Sequence, residues 1–289
     1  MSYTCFEVEI ENKIAHIKLS RPEKRNAMSP EFWDELPTIV RDIDGGSKAR
    51  VIVISSTGPH FTAGLDIQAF LGMGQPDGGS KDTPDNNVGI DSSLSFYHNT
   101  KLMQETFSVL EDCRIPVLAA IQGGCIGGGV DFTTACDMRY VSEDAYFTIH
   151  ETNIGMTADV GTFPRLLNLI PEGIVRELSY TGRKMPAKEA LSHGLVNGVY
   201  SDQASMLEEV MKIAGQIASQ APNAVYGCKR MINYSRDHNT ADSLDYIVTW
   251  NMSMLQQEQM AEAMMANAQK RAGDFAELPP LPTAINSKK

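Results

Sequence analysis

Residues 123–129 read GGCIGGG, five glycines in seven positions, and an aspartate, Asp131, follows two residues later. Glycine weakens the interior of a helix or a strand, so such a stretch is either a turn or a place where backbone must approach something closely. The dinucleotide fingerprint needs glycines at relative positions 1, 3 and 6, which no frame here supplies, and the GK[ST] ending of a P-loop is missing. One remaining reading is a tight strand-to-helix turn. In the other, VDFTTACDM starts a helix at the glycines. The N–H groups of Gly127, Gly128 and Gly129 are then first-turn donors without helical partners, suited to an anionic oxygen, with Asp131 beside it.

The surroundings of this turn predict an α/β fold. FEVEIENKIAHIKLS alternates about an E-N-K turn and reads as a hairpin. Ser29 and Pro30 open a helix over PEFWDELPTIVRDID, with serine at the N-cap and proline at the first helical position. RVIVISS (50–56), PVLAAIQG, MRYVS and AYFTI read as short strands, and a helix is expected over 93–112. Residues 72–91, rich in Gly, Asp, Asn and Pro, read as a surface loop or lid. PEGIVRELSYTG and PAKEALSHG each start with proline and end in glycine, as helices do. From about residue 203 the pattern is helical and methionine-rich. Residues 1–200 are therefore expected to form the core carrying the site, and residues 201–289 a helical region.

Charge and cysteine usage narrow the function. The net charge of −11 argues against nucleic acid or an anionic membrane surface as the main partner. Five scattered cysteines without a CxxC pair read as reduced thiols, and six histidines without ligand spacing argue against a bound metal. No apolar stretch reaches membrane-spanning length. The start, MSYTCFEVEIENK, resembles neither a signal peptide nor a transit presequence, and the end, NSKK, is not SKL. These features lead to the expectation of a soluble, cytoplasmic protein.

Two further acids sit in unusual settings. Glu151 directly follows the apolar AYFTI, and Asp159 lies in the polar island MTADVGTF. Each has an ordinary explanation, as a solvated strand end or a helix-start acid. Taken with the glycine turn and the loop FTAGLD, they outline two backbone donors and several carboxylates. That combination suits proton transfer at an acyl group, the donors holding an enolate oxygen.

LSRPEKRNAMSPEFWDEL (19–36), FTAGLDI (61–67), IPVLAAIQGGCIGGGVDF (115–132), ACDMRYVSEDAYFTIHETNIGMTADVGTFPRL (135–166) and RKMPAKEALSHGLVNGVY (183–200) resemble, in order and spacing, the crotonase (enoyl-CoA hydratase/isomerase) family. The likeness runs from about residue 6 to residue 272. It implies a spiral of ββα turns and a C-terminal helical region that assembles a homotrimer or a hexamer made of two trimers. It also implies an acyl-CoA thioester substrate, coenzyme A being part of that substrate rather than a separate cofactor. The oxyanion hole would come from the N–H groups of Leu65 and Gly128, and substrate would lie against Ala63, Gly64, Leu65, Asp66, Ile67 and Gly128.

The acids then distinguish branches of the family. Hydratases resemble this chain but carry Glu at the positions of Asp131 and Glu151, and typically Gly at that of Asp159. The set Asp131, Glu151 and Asp159 resembles that of the Δ3,5-Δ2,4-dienoyl-CoA isomerases, which act in fatty-acid β-oxidation. The resemblance implies that Glu151 removes a proton from carbon 2, that Asp159 delivers one to carbon 6, and that Asp131 holds the arrangement. A hydratase, or another acyl-CoA enzyme of the family, is the alternative. An RNA-binding homologue would need a basic stripe that this acidic chain lacks. Lys24 and Arg25 are candidate contacts for CoA phosphates, or simply a solvated basic turn. Leu244, Ile247, Val248, Met254, Leu255, Met260, Met264 and Met265 fall on helical surface and must pack on the core, on another subunit, or on both.

Overall fold

Val51–Ser56 and Val117–Ile121 are buried along their whole length, as parallel strands covered on both faces must be. In the computed structural model, which describes residues 3–69 and 88–282 (88–91 as backbone only), they are central strands of a six-stranded sheet. We label the strands β1 (Phe6–Glu11), β2 (Ile14–Leu19), β3 (Val51–Ser56), β4 (Val117–Ile121), β5 (Gly124–Ile126), β6 (Met138–Ser142), β7 (Tyr146–Thr148), β8 (Met185–Pro186) and β9 (Gly198–Tyr200). The large sheet runs β1-β2-β3-β4-β6-β9, antiparallel only at the β1–β2 hairpin. A small sheet runs β5-β7-β8.

The chain passes from a strand of the large sheet to one of the small sheet and then into helix, and repeats: β4, β5 and helix Gly128–Thr134, then β6, β7 and a 3-10 turn at Glu151–Ile154. These are the expected ββα turns of the spiral. Alternation along β3 and β4 sends Ile52, Ile54, Val117, Ala119 and Ile121 into the main core. Val51, Val53, Leu118 and Ala120 face the other way, against Met206, Val210, Ala214 and Ala218 of helix Gln203–Ala218. The first C-terminal helix therefore covers the sheet, while Pro222–Asp237, Thr240–Met254 and Gln257–Gln269 follow it.

Helix Pro30–Gly45 starts where Ser29 and Pro30 indicate, but the serine hydroxyl makes no capping bond; it donates to Glu31 Oε2 at 2.5 Å. Phe32, Trp33, Leu36, Ile39, Val40 and Ile43 form its buried face. Pro37 lies inside this helix and has no N–H to offer the carbonyl four residues back. That carbonyl belongs to Trp33, and Thr106 Oγ1 donates to it at 3.1 Å from helix Val88–Asp112. This second helix begins earlier than the expected residue 93, and residues 72–87 of the expected loop lie outside the described residues. Phe107, on the same helix, stacks on Phe132 with ring centres 5.3 Å apart, so the helix after the glycine turn rests on an aromatic floor.

The Thr106 bond joins two helices that border the site. Thr106→Val keeps the shape of the side chain and leaves the Trp33 carbonyl buried without a donor. Stability should fall by about 1–3 kcal/mol, read as a lower urea midpoint at unchanged slope.

Candidate active site

The loop at residues 62–65 lies beside β5: Thr62 N–H donates to the Gly124 carbonyl at 3.1 Å, and Ile126 N–H to that of Thr62 at 3.2 Å. Contact is close because Gly64, at φ +83°, has no side chain; a Cβ there would lie 2.7 Å from the Ile126 carbonyl oxygen and 3.4 Å from Gly128 N. On its other side the loop bonds to Met28, which donates to the Gly64 carbonyl (2.8 Å) and accepts from Asp66 N–H (3.1 Å). That alternation turns Leu65 N–H away from Met28. Neither Leu65 N–H nor Gly128 N–H donates to a protein acceptor among the described residues. A Cβ on Gly128 would lie 4.0 Å from Leu65 N, so the two groups are neighbours.

The expectation of three free donors at the glycine turn needs correction at Gly127. Its N–H donates to the Thr148 carbonyl at 2.9 Å, tying the turn to β7. Its φ of +52° and its closeness to Glu151, whose Oε1 would be 3.2 Å from a Cβ at this position, explain the glycine. Helix Gly128–Thr134 has only seven residues, so the pull on an anion comes chiefly from the N–H groups themselves.

Asp131, Glu151 and Asp159 line one cavity of about 240 Å³ together with Ala63, Gly64, Leu65, Ile67 and Gly128. Asp66 does not line it; its carboxylate turns back to accept the Ala69 N–H at 3.2 Å. Lys24 and Arg25 are exposed, and the Arg25 carbonyl accepts Ala63 N–H at 3.0 Å, which puts the basic turn next to the loop. The rest of the lining is mostly apolar, with Trp33, Phe96, Met103, Ile126, Ile154, Met156 and Val160. Sequence reading missed these, since long-range packing rather than any motif collects them.

The three acids differ in setting. Asp131 is 1% exposed, and its Oδ1 accepts both the N–H (2.6 Å) and the hydroxyl (2.9 Å) of Thr162. Burial, and then the nearby Glu151 charge, push its carboxyl up to about 7 despite the Thr162 bonds. Glu151 stands in the 3-10 turn after β7 rather than at a solvated strand end. Burial raises its pKa, against bonds from its own N–H and that of His150, and the Asp159 charge adds to the rise. Its Oε2 is buried and has no hydrogen-bond partner among the described residues. Asp159 is half-buried, and burial raises it as well. Thr162 is the functional neighbour that the sequence concealed, 31 residues from the aspartate it binds.

Comparison with known proteins follows this geometry. The family described as enoyl-CoA hydratase/isomerase matches residues 9–278. The chain belongs to this family. Mouse mitochondrial Delta(3,5)-Delta(2,4)-dienoyl-CoA isomerase is 42% identical over 275 residues, 93% of this chain and 81% of that protein. The peroxisomal Delta(3,5)-Delta(2,4)-dienoyl-CoA isomerase of Arabidopsis thaliana is 36% identical over 280 residues, 96% of this chain and 99% of that protein. Among solved structures, an enoyl-CoA hydratase from Bacillus anthracis superposes with a TM-score of 0.82 at 27% identity, covering 94% of this chain and 99% of that one. The fold is thus the crotonase fold. The expectation of a cytoplasmic protein is overturned, because these relatives are named as mitochondrial or peroxisomal. It rested on scattered cysteines, the lack of a membrane-spanning stretch and terminal residues that resemble no targeting segment, none of which decides the compartment.

The raised Asp131 carboxyl has a consequence for stability. Unfolded, it ionises near 3.8; folded, it keeps its proton up to about 7. Between those values the native state binds more protons, so this group makes stability fall as pH rises, and the effect levels off above the folded value. Asp131→Asn removes that slope. Urea midpoints taken at fixed protein concentration should show the wild type losing ground to the variant from about pH 4 to about pH 7 and holding a constant offset above.

Proposed function

We propose that the protein is an isomerase that converts 3,5-dienoyl-CoA to 2,4-dienoyl-CoA. The observation that carries this reading is one mostly apolar cavity that holds three carboxylates beside two N–H groups unbonded among the described residues. The relatives named dienoyl-CoA isomerase support it. In this reading Leu65 and Gly128 N–H hold the thioester oxygen, and Glu151, next to the glycine turn, takes a proton from carbon 2. The electron pair spreads to a trienolate whose negative charge rests partly on that oxygen. Asp159, protonated, gives its proton to carbon 6; the double bonds move to positions 2 and 4, and the carbonyl re-forms. Glu151 ends with one more proton and Asp159 with one fewer. Asp131 anchors Thr162 and, through it, the segment that bears Asp159.

The physical logic is that three carboxylates in a poorly hydrated cavity cannot all ionise cheaply. One stays protonated as acid while another serves as base, and their titrations are coupled. In a hydratase the carboxylate pair must hold a water. Here Asp131 already spends one oxygen on both Thr162 donors, which favours the isomerase over hydration.

An optical assay tests this. Given a 3,5-dienoyl-CoA, the enzyme should produce the absorbance of a diene conjugated to the thioester, whereas hydration of a 2-enoyl-CoA removes conjugation. Asp159→Gly should slow isomerisation by about 10²-fold or more with little change in acyl-CoA affinity. Full isomerisation by this variant would overturn the assignment.

We further propose that the last helices form a subunit seam in a homotrimer or a pair of trimers. Support comes from Leu244, Val248 and Met252, one stripe of helix Thr240–Met254 that stays 60%, 67% and 81% exposed in the single chain. Leu255, Met260, Met264 and Met265 extend the apolar surface beyond it. Val248→Glu puts a charge in that stripe without touching the cavity. Sedimentation should show smaller particles that keep the wild-type fold by circular dichroism; an unchanged size would place the seam elsewhere.

A further inference from the structure

The Asp159 carboxylate makes no hydrogen bond to another residue among the described residues, so its position depends on the backbone that carries it. That backbone is fastened from two sides. On one side Asp131 accepts from the N–H and hydroxyl of Thr162. On the other, helix Val88–Asp112 presents Gln104, Ser108 and Glu111, spaced so that they share one face. Ser108 Oγ and Glu111 Oε2 accept from Arg165 at 3.0 and 2.6 Å, and Arg165 Nη1 donates to the Val160 carbonyl at 3.4 Å. Gln104 acts directly: its Nε2 donates to the carbonyl of Asp159 itself at 2.6 Å. Lys101 Nζ, 3.0 Å from Gln104 Oε1, fixes the amide so that its NH₂ faces Asp159. Upstream, Thr152–Thr157 are exposed.

The chemistry makes this placement consequential. A trienolate can accept a proton at carbon 2, carbon 4 or carbon 6. Return to carbon 2 regenerates the substrate. Protonation at carbon 4 draws on the 3,4 electron pair and leaves a 2,5-dienoyl thioester, while protonation at carbon 6 draws on the 5,6 pair and gives the 2,4-dienoyl product. Only an acid held near the far end of the conjugated system selects carbon 6. We infer that Gln104 is a positioning residue that, through the Asp159 carbonyl, directs the proton to carbon 6. This rests on the isomerase reading above.

The test uses Gln104→Met, which keeps side-chain length but has no donor, with Gln104→Glu as a second variant that offers no donor once ionised. Each is checked for the wild-type fold and assembly, then run on a 3,5-dienoyl-CoA in D₂O. Mass spectrometry and NMR follow deuterium at carbon 2 of the recovered substrate together with the 2,4- and 2,5-dienoyl products. Formation of 2,4-dienoyl-CoA should fall about 10- to 100-fold, KM should stay within about twofold, and carbon-2 exchange should persist. Exchange events per 2,4-dienoyl product should therefore rise by the same 10- to 100-fold factor, with 2,5-dienoyl-CoA as a minor new product. Exchange and product formation falling together, or neither changing, would overturn the inference. A wild type that forms no 2,4-dienoyl-CoA would instead overturn the isomerase reading, and this inference with it.

Discussion

Two peptide N–H groups without an acceptor among the described residues, at Leu65 and Gly128, impose the demand that the rest of the site answers. Most backbone N–H groups in a folded protein are bonded, so leaving two of them free side by side requires specific backbone on both flanks. The loop through Leu65 meets this demand by bonding to Met28 with its neighbours, Gly64 carbonyl and Asp66 N–H, which leaves the intervening N–H pointing the other way. The turn through Gly128 meets it by committing Gly127 N–H to Thr148. The two segments can approach only because Gly64 has no Cβ to strike the Ile126 carbonyl. The glycines are thus a consequence of where two donors must stand.

Much of this frame is legible in the residues. The unbroken apolar runs of β3 and β4 announce strands buried on both faces, and the α/β alternation up to about residue 200 appears as expected. The glycine turn, the FTAGLD loop and the three acids do meet in one cavity. Legibility ends where the determining contact is long-range. Nothing near Asp131 reveals that Thr162 holds its carboxylate, nor does anything near Pro37 reveal that Thr106 takes the carbonyl that proline leaves free. Local signals also mislead in detail. Ser29 occupies the N-cap position, yet its hydroxyl turns to Glu31, and Asp66 lies in the right loop with its carboxylate turned from the cavity.

Burial shapes the acids more than their mutual repulsion does. Desolvation is the leading cause of the raised pKa at Asp131, at Glu151 and at Asp159 alike. What distinguishes them is the bonding that opposes burial. Asp131 has two donors from Thr162 and is nonetheless raised to about 7, because it lies deepest and faces the Glu151 charge. At Glu151 its own N–H and that of His150 oppose burial, while Oε2 has no hydrogen-bond partner among the described residues. Asp159 is half-buried, and its carboxylate bonds to no other residue among those described. One mostly apolar cavity therefore holds an anchored acid, an acid with one unbonded oxygen, and an acid held by its backbone.

That gradation fits the proposed chemistry better than three equivalent carboxylates would. A base must meet its proton with a free lone pair, which the unbonded Oε2 of Glu151 provides. A group that serves as anchor is best tied by donors, as Asp131 is by the two of Thr162. A distal acid must hold a proton before it gives one, and at Asp159 partial burial favours the neutral form against a single bond from its own N–H. Its weakness is placement, since a carboxyl without side-chain bonds is only as well aimed as its backbone. The bonds converging on residues 159–162 from Gln104, Arg165 and Asp131 supply that aim from the protein rather than from the acid. Helix Val88–Asp112 is therefore part of the site's construction: its Thr106 secures the helix bearing Trp33 on one wall of the cavity, and its Gln104 secures Asp159 on another.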